Sequence, residues 1–117
     1  MRILFALLLL SAFPGYAGNS LQQLCSQAGE NYTYLEKMRI QDINSSMLFK
    51  IKEGYNNGVA NIAINNVYYA VVLDSKAGST TYPASGQSIA DMAKIAFSLG
   101  KEVNACVGLG YLWGIEY

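Results

Sequence analysis

The order of apolar and polar positions divides the chain into a leading apolar run, a strand-rich stretch, one amphipathic helix and two closing strands. Leu21 and Leu24 stand at i, i+3 within residues 21–27 and predict a short helical turn. Residues 32–43 alternate. Tyr32, Tyr34, Glu36, Met38 and Ile40 fall on one face, and Thr33, Leu35, Lys37, Arg39 and Gln41 on the other, so the stretch reads as a strand. Asn44, Ser45 and Ser46 read as a polar break. Residues 47–52 then predict a second strand, with Met47, Phe49 and Ile51 opposite Lys50 and Lys52. Gly54 and Asn56-Asn57-Gly58 supply a loop, because Asn and Gly tolerate positive φ. Residues 59–64 and 67–73 form strands across the two-residue turn Asn65-Asn66. Four β segments joined by Asn and Gly turns make an antiparallel meander.

Residues 74–86 break this rhythm. They are polar, hold Gly78 and Pro83, and read either as a functional loop or as a plain crossover from sheet to helix. Residues 88–99 predict the one long helix, capped by Ser88 with Asp91 three residues on and ended by Gly100. Asp91, Lys94 and Ser98 occupy one narrow wedge; the rest of the wheel is apolar. One sheet contact needs a stripe of about 100°, and this stripe is roughly twice that. The helix is therefore expected to pack on its own sheet and to offer Ile89, Met92, Ile95, Ala96 and Leu99 to a second subunit. Enclosure within its own domain is the alternative. Residues 101–107 and 111–117 close the chain as strands around Gly108-Leu109-Gly110. The expected fold is mainly β with one long helix (α+β): a five- to six-stranded antiparallel small barrel of the OB type.

The leading run changes the picture of where the chain works. Met1 and Arg2, the apolar residues 3–13, the break at Pro14-Gly15 and the small residues Gly15 and Ala17 read as a signal peptide over 1–17, cleaved near Ala17. The run is short of the roughly 20 apolar residues of a membrane anchor. Gln23-Leu24 before Cys25 does not suit a lipidated cysteine. A secreted domain over 18–117 is expected, passing through a periplasm. Arg2 lies in the leader, so this domain carries seven of the eight basic residues and all eight acidic ones. With no basic excess to neutralise phosphates, nucleic acid is excluded as a partner.

An exported chain with two cysteines most simply joins them, so Cys25 and Cys106 are expected as a disulfide. A metal-binding or reactive pair lacks its context, since the chain holds no histidine and no cysteine pair at ligand spacing. No metal and no cofactor are expected. Without histidine the usual general base is missing, and the carboxylates are scattered. Gly108-Leu109-Gly110 lacks the third glycine and following helix of a phosphate loop. The chain is not expected to be an enzyme. Nine tyrosines and one tryptophan point instead to a binding surface. A tyrosine presents a flat apolar ring with a hydrogen-bonding tip, which suits sugars, strands and subunit contacts alike. Asn31-Tyr32-Thr33 and Asn44-Ser45-Ser46 also match the short N-glycosylation pattern.

These residues resemble a family. Leu24-Cys25, Asp42-Ile43-Asn44, Tyr82-Pro83, Met92-Ala93, Val103-Asn104-Ala105-Cys106 and Trp113-Gly114-Ile115-Glu116 follow in order along the domain. Together they look like the B subunit of an AB5 toxin of the cholera and heat-labile enterotoxin family, most like the type II heat-labile enterotoxins. The resemblance implies an OB-fold subunit in a homopentameric ring, with helices around a central pore and neighbours extending each other's sheets. It implies receptor binding to host glycans, on gangliosides or sialylated glycoproteins, and carriage of a catalytic A subunit.

The family's binding residues are matched only in part. Type II relatives place two threonines soon after the first cysteine, where this chain reads Ser26-Gln27-Ala28-Gly29. A third threonine falls in the loop where Asn44, Ser45 and Ser46 stand. Cholera-type relatives carry a tryptophan just after the second cysteine, where this chain has Val107-Gly108. The expected glycan face therefore combines Asn44, Ser45 and Ser46 with Asp74, Tyr82, Gln87 and Tyr111. Two rival readings stand beside this one: a small exported protein-binding or inhibitor domain, and a small hydrolase using two carboxylates.

Overall fold

Strand β1 (Tyr32–Ser46) is long enough to serve two neighbours. The computed structural model describes residues 18–53, 58–73 and 83–117, so the expected leader and the candidate positions Asp74 and Tyr82 lie outside the described residues. The first half of β1 pairs with β4 (Glu102–Gly108), from Tyr32 opposite Gly108 to Arg39 opposite Glu102. Its second half pairs with β2 (Val59–Ile64), from Ile40 opposite Ile64 to Ser46 opposite Val59. Irregularities between Leu35 and Met38 and between Ile40 and Asp42 bend the strand from one partner to the other. Side-chain hydrogen bonds tie both bends to neighbouring elements. The Lys37 N–H, at φ 53°, donates to Asn104 Oδ1 at 2.9 Å. Gln41 Oε1 accepts from the Asn66 N–H at 2.6 Å, and Gln41 Nε2 donates to Asn66 Oδ1 at 2.9 Å.

Asn44, Ser45 and Ser46 thus lie inside β1 and are not a break. Their side chains are polar, but strand pairing is made by the backbone. The expected strand over 47–52 is absent, and Ile51–Glu53 forms a single 3-10 turn. A strand needs a free edge, and β2 already has β1 on one side and β3 (Val67–Val72) on the other. The turn between β2 and β3 is the expected one, with Asn65 and Asn66 at φ 53° and 65°.

The described strands close as β1-β2-β3-β5-β4, with β5 running over Tyr111–Glu116. Five strands form among the described residues, within the expected five to six, but they are not all antiparallel. Directions cannot alternate all the way around an odd ring, so one adjacent pair must run parallel. Here it is β3 with β5, joined at Ala70 and Tyr111. Ile62, Ile64 and Val103 fill the interior with almost no exposure.

Among the described residues two helices cover the barrel: the long helix is not the single one, because the turn expected at 21–27 is a full helix of its own. Helix α1 (Leu21–Ala28) opens with a reciprocal cap. The Gln23 N–H donates to Ser20 Oγ at 3.2 Å, and the Ser20 N–H donates to Gln23 Oε1 at 3.1 Å. The Cys25–Cys106 disulfide ties α1 to β4 across a separation of 81 residues. Helix α2 (Pro83–Leu99) begins before Ser88, with proline at the first position, where a missing N–H costs nothing. Ser88 and Asp91 lie inside it and form no cap; Asp91 Oδ1 accepts from Gln87 Nε2 at 2.9 Å. Its end is as expected. Gly100 takes φ 63°, the Lys101 N–H donates to the Ala96 carbonyl at 2.8 Å, and the Gly100 N–H donates to the Phe97 carbonyl at 3.2 Å. The Arg39 guanidinium donates to the Gly100 carbonyl.

Small residues set the fit of α2. Gly86, Ala90, Ala93 and Ala96 face the barrel and are buried. A Cβ on Gly86 would stand 2.1 Å from the Val72 carbonyl oxygen, so this turn rests directly on β3.

Candidate functional site

Pairing rows place most of the expected site residues at one end of the barrel. Asn44, Asn61, Ala70, Tyr111, Gly108 and Tyr32 are successive partners around the strands. Ser46, Val59 and Val72 form a shorter row nearer that end, and Gly86 lies against Val72. Gln87 therefore shares this end with Ser46. The residues do not converge in one cavity. Asn44 Oδ1 accepts from Asn61 Nδ2 at 2.9 Å, and Ser45 Oγ donates to the Val59 carbonyl at 3.3 Å. Ser46 Oγ accepts from the Leu48 N–H at 2.9 Å. Each keeps hydrogen-bonding capacity on its exposed side, because a hydroxyl or amide serves more than one partner.

A run of aromatic rings crosses the same region. The Tyr32 and Trp113 centroids lie 5.7 Å apart edge to face, those of Trp113 and Tyr111 5.4 Å, and those of Tyr111 and Phe49 5.9 Å. The Trp113 indole N–H donates to the Gly108 carbonyl at 2.8 Å, which holds the ring while half of it stays exposed. Lys50 Nζ lies 5.5 Å from the Phe49 ring centre and 5.8 Å from that of Tyr111. A shallow depression of about 270 Å³ adjoins the run, lined by Leu21, Leu24, Cys25, Ala28, Tyr32, Cys106 and Trp113. Of this run, sequence reasoning named only Tyr111. The Tyr111-x-Trp113 spacing was a usable signal, since i and i+2 share a strand face. Phe49 was not findable that way, because only closure of the barrel brings it to Tyr111.

A second polar cluster joins β1, β4 and β5. The Tyr34 hydroxyl donates to Glu116 Oε2, and Asn104 Nδ2 donates to the same oxygen at 3.1 Å. The Tyr34 hydrogen bond, then that of Asn104, then the Leu21 backbone hold the Glu116 carboxyl below its ordinary value, against an opposing desolvation. The same bond to Glu116 pushes Tyr34 up to about 12. Among the described residues, no three His, Cys, Asp or Glu side chains gather where a metal could sit.

On α2, the residues expected at a subunit contact divide. Ile95 and Leu99 stand exposed on one face; Ile89 and Met92 are half-buried; Ala96 packs fully against the barrel.

The architecture is that of a disulfide-tied, OB-like β-barrel with an exposed apolar helix face and an aromatic edge. No protein-family model matches the chain, and no curated protein sequence does. Its fold is similar to that of a solved chain of porcine heat-labile enterotoxin in complex with an inhibitor. The TM-score is 0.63 at 15% identity, over 86% of this chain and 97% of that one. The chain thus has an enterotoxin B-subunit-like fold.

Proposed function

We propose that this chain is the non-catalytic, receptor-binding subunit of a secreted AB5-type toxin, of the type II heat-labile enterotoxin kind. It assembles as a homopentameric ring, binds host cell-surface glycans on gangliosides or glycoproteins, and carries a catalytic A subunit. The observation that carries this reading is the fold likeness to heat-labile enterotoxin along nearly the whole of that chain. Two features of the surface support it. Ile95 and Leu99, one turn apart, form an apolar strip on the outer side of α2, with half-buried Met92 on the same face. A strip of this kind suits burial against another copy. Strands β3 and β5 meet at a single position, which leaves the edge of β3 before it free, with Val67 and Tyr68 exposed there, for a neighbouring strand to join.

Non-denaturing mass spectrometry of the exported protein tests the assembly. The expected species has five chains, each lacking the leader and each two hydrogens lighter than its reduced form. A monomer would end the reading. A glycan array then tests recognition. Ser45→Ala with Ser46→Ala is expected to weaken glycan binding while the ring stays assembled; unchanged binding would move the site away from this end of β1.

A further inference from the structure

We propose that the barrel end bearing Met47, Leu48 and Leu109 is a membrane-contact surface that enters the outer layer of a phospholipid bilayer, whether or not a glycan is bound. Three large aliphatic side chains stand in solvent there: Met47 is 72% exposed, Leu48 68% and Leu109 62%. They come from two separate stretches, the segment after β1 and the turn between β4 and β5. The contact of Phe49 with Tyr111 brings these stretches together. Leu109 holds φ 57° at a turn position that Asn or Gly takes without strain. The β2–β3 turn of this same protein uses Asn at both such places. A leucine that is both strained and exposed gains nothing from the fold, so its side chain is explained by something outside it.

The chemistry of this end is of the kinds a bilayer interface takes up. The aliphatic side chains are its most exposed apolar groups. Phe49 and Tyr111 are in contact beside them, with Trp113 against Tyr111, and the headgroup boundary favours aromatic rings. Lys50 Nζ lies over the Phe49 and Tyr111 rings, and Lys52, two residues on, is exposed. Lys50 reaches Glu53 at 3.9 Å only as an exposed pair. Their apolar stems can lie along the rings while the ammonium groups meet lipid phosphates. A sugar fits this part of the surface less well. Its most exposed apolar side chains, on a loop and a turn, are aliphatic, and the indole N–H of Trp113 is already held by Gly108.

Flotation with vesicles of phosphatidylcholine and phosphatidylserine, free of any glycolipid, tests the proposal. Trp113 is the chain's single tryptophan, so brominated phosphatidylcholine reports its depth directly. The protein is expected to float and its Trp113 emission to be quenched. Met47→Ser with Leu48→Ser should lower the partition coefficient about tenfold or more, with thermal stability and glycan-array binding unchanged. Lys50→Gln or Lys52→Gln should each lower it about fivefold on these anionic vesicles. A protein that stays at the bottom of the gradient, or a serine variant that floats as well as the parent, overturns the proposal. If the serine pair alters the solution mass without altering flotation, the patch is a protein contact and the proposal also falls. None of these arms depends on a glycan, so a failed glycan array leaves them readable.

Discussion

Replacing Gly86 with alanine sets two effects of opposite sign against each other. Inside a helix, alanine is favoured over glycine by about 1 kcal/mol, and Gly86 lies in the first turn of α2. At this position, however, the new Cβ would stand 2.1 Å from the Val72 carbonyl oxygen and 3.1 Å from its carbon. Neither atom belongs to a flexible side chain; both are backbone of β3, held in register with Val59 of β2. Relief requires the helix to withdraw by about 1 Å, enough to lose roughly a quarter to a half of each dispersion contact along the seam. The seam is made of Ala90, Ala93 and Ala96, each almost wholly buried. Overpacking of this kind costs about 3 kcal/mol at the upper end of its range, so the net effect is a loss of about 2 kcal/mol. For a domain of this size that lowers Tm by about 10 °C. The assay is thermal and urea unfolding of the oxidised protein, with Gly18→Ala as control, since nothing lies within 4 Å of a Cβ there. A Gly86→Ala protein more stable than its parent would show that helix propensity wins and that α2 does not rest on β3 at this distance.

Other perturbations have equally definite outcomes. Replacing Cys25 and Cys106 with serine frees a closed loop spanning 81 residues and should cost about 4–5 kcal/mol by the chain-entropy relation, read from urea midpoints. Tyr34→Phe should raise the Glu116 pKa in an NMR titration toward its ordinary 4.5, because Tyr34 is the largest cause of its depression. A carboxyl depressed on folding adds stability above 4.5 that is lost as pH falls through its folded value, so the variant should lose less stability than the parent in that acid window. At the other end, the Tyr34 hydroxyl, raised from 10.0 to about 12, adds stability below 10.0 that is lost as pH rises through its folded value; the variant should lack that alkaline loss. Leu109→Asn should stabilise the fold by about 1 kcal/mol by relieving the positive-φ leucine, and at the same time weaken flotation with vesicles. A stabilised variant that floats unchanged would separate the turn strain from any role at a membrane.

Much of the fold was legible because it is local. Short runs rich in apolar residues and tyrosine marked the strands at 59–64 and 67–73, the Asn65-Asn66 pair marked their turn, and Gly100 marked the end of α2. Each of these signals acts within a few residues and needs no distant partner. The Cys25–Cys106 bond was legible for a different reason, since two cysteines have only one way to pair within one chain.

What the sequence determined alone was therefore the inventory: a β-rich domain with one wide apolar helix, tied end to end, with an excess of tyrosine. The tertiary structure decided which segments found partners. Residues 47–52 carry a strand's alternation and form none, because β2 has strands on both sides. Asn44, Ser45 and Ser46 look like a break and pair as strand, because the backbone bonds regardless of polar side chains. Phe49, Tyr111, Trp113 and Tyr32 come from three stretches of chain and become one aromatic run only when five strands close with a parallel seam. Contacts between residues far apart in sequence depend on how edges saturate and rings close, and no local pattern encodes either.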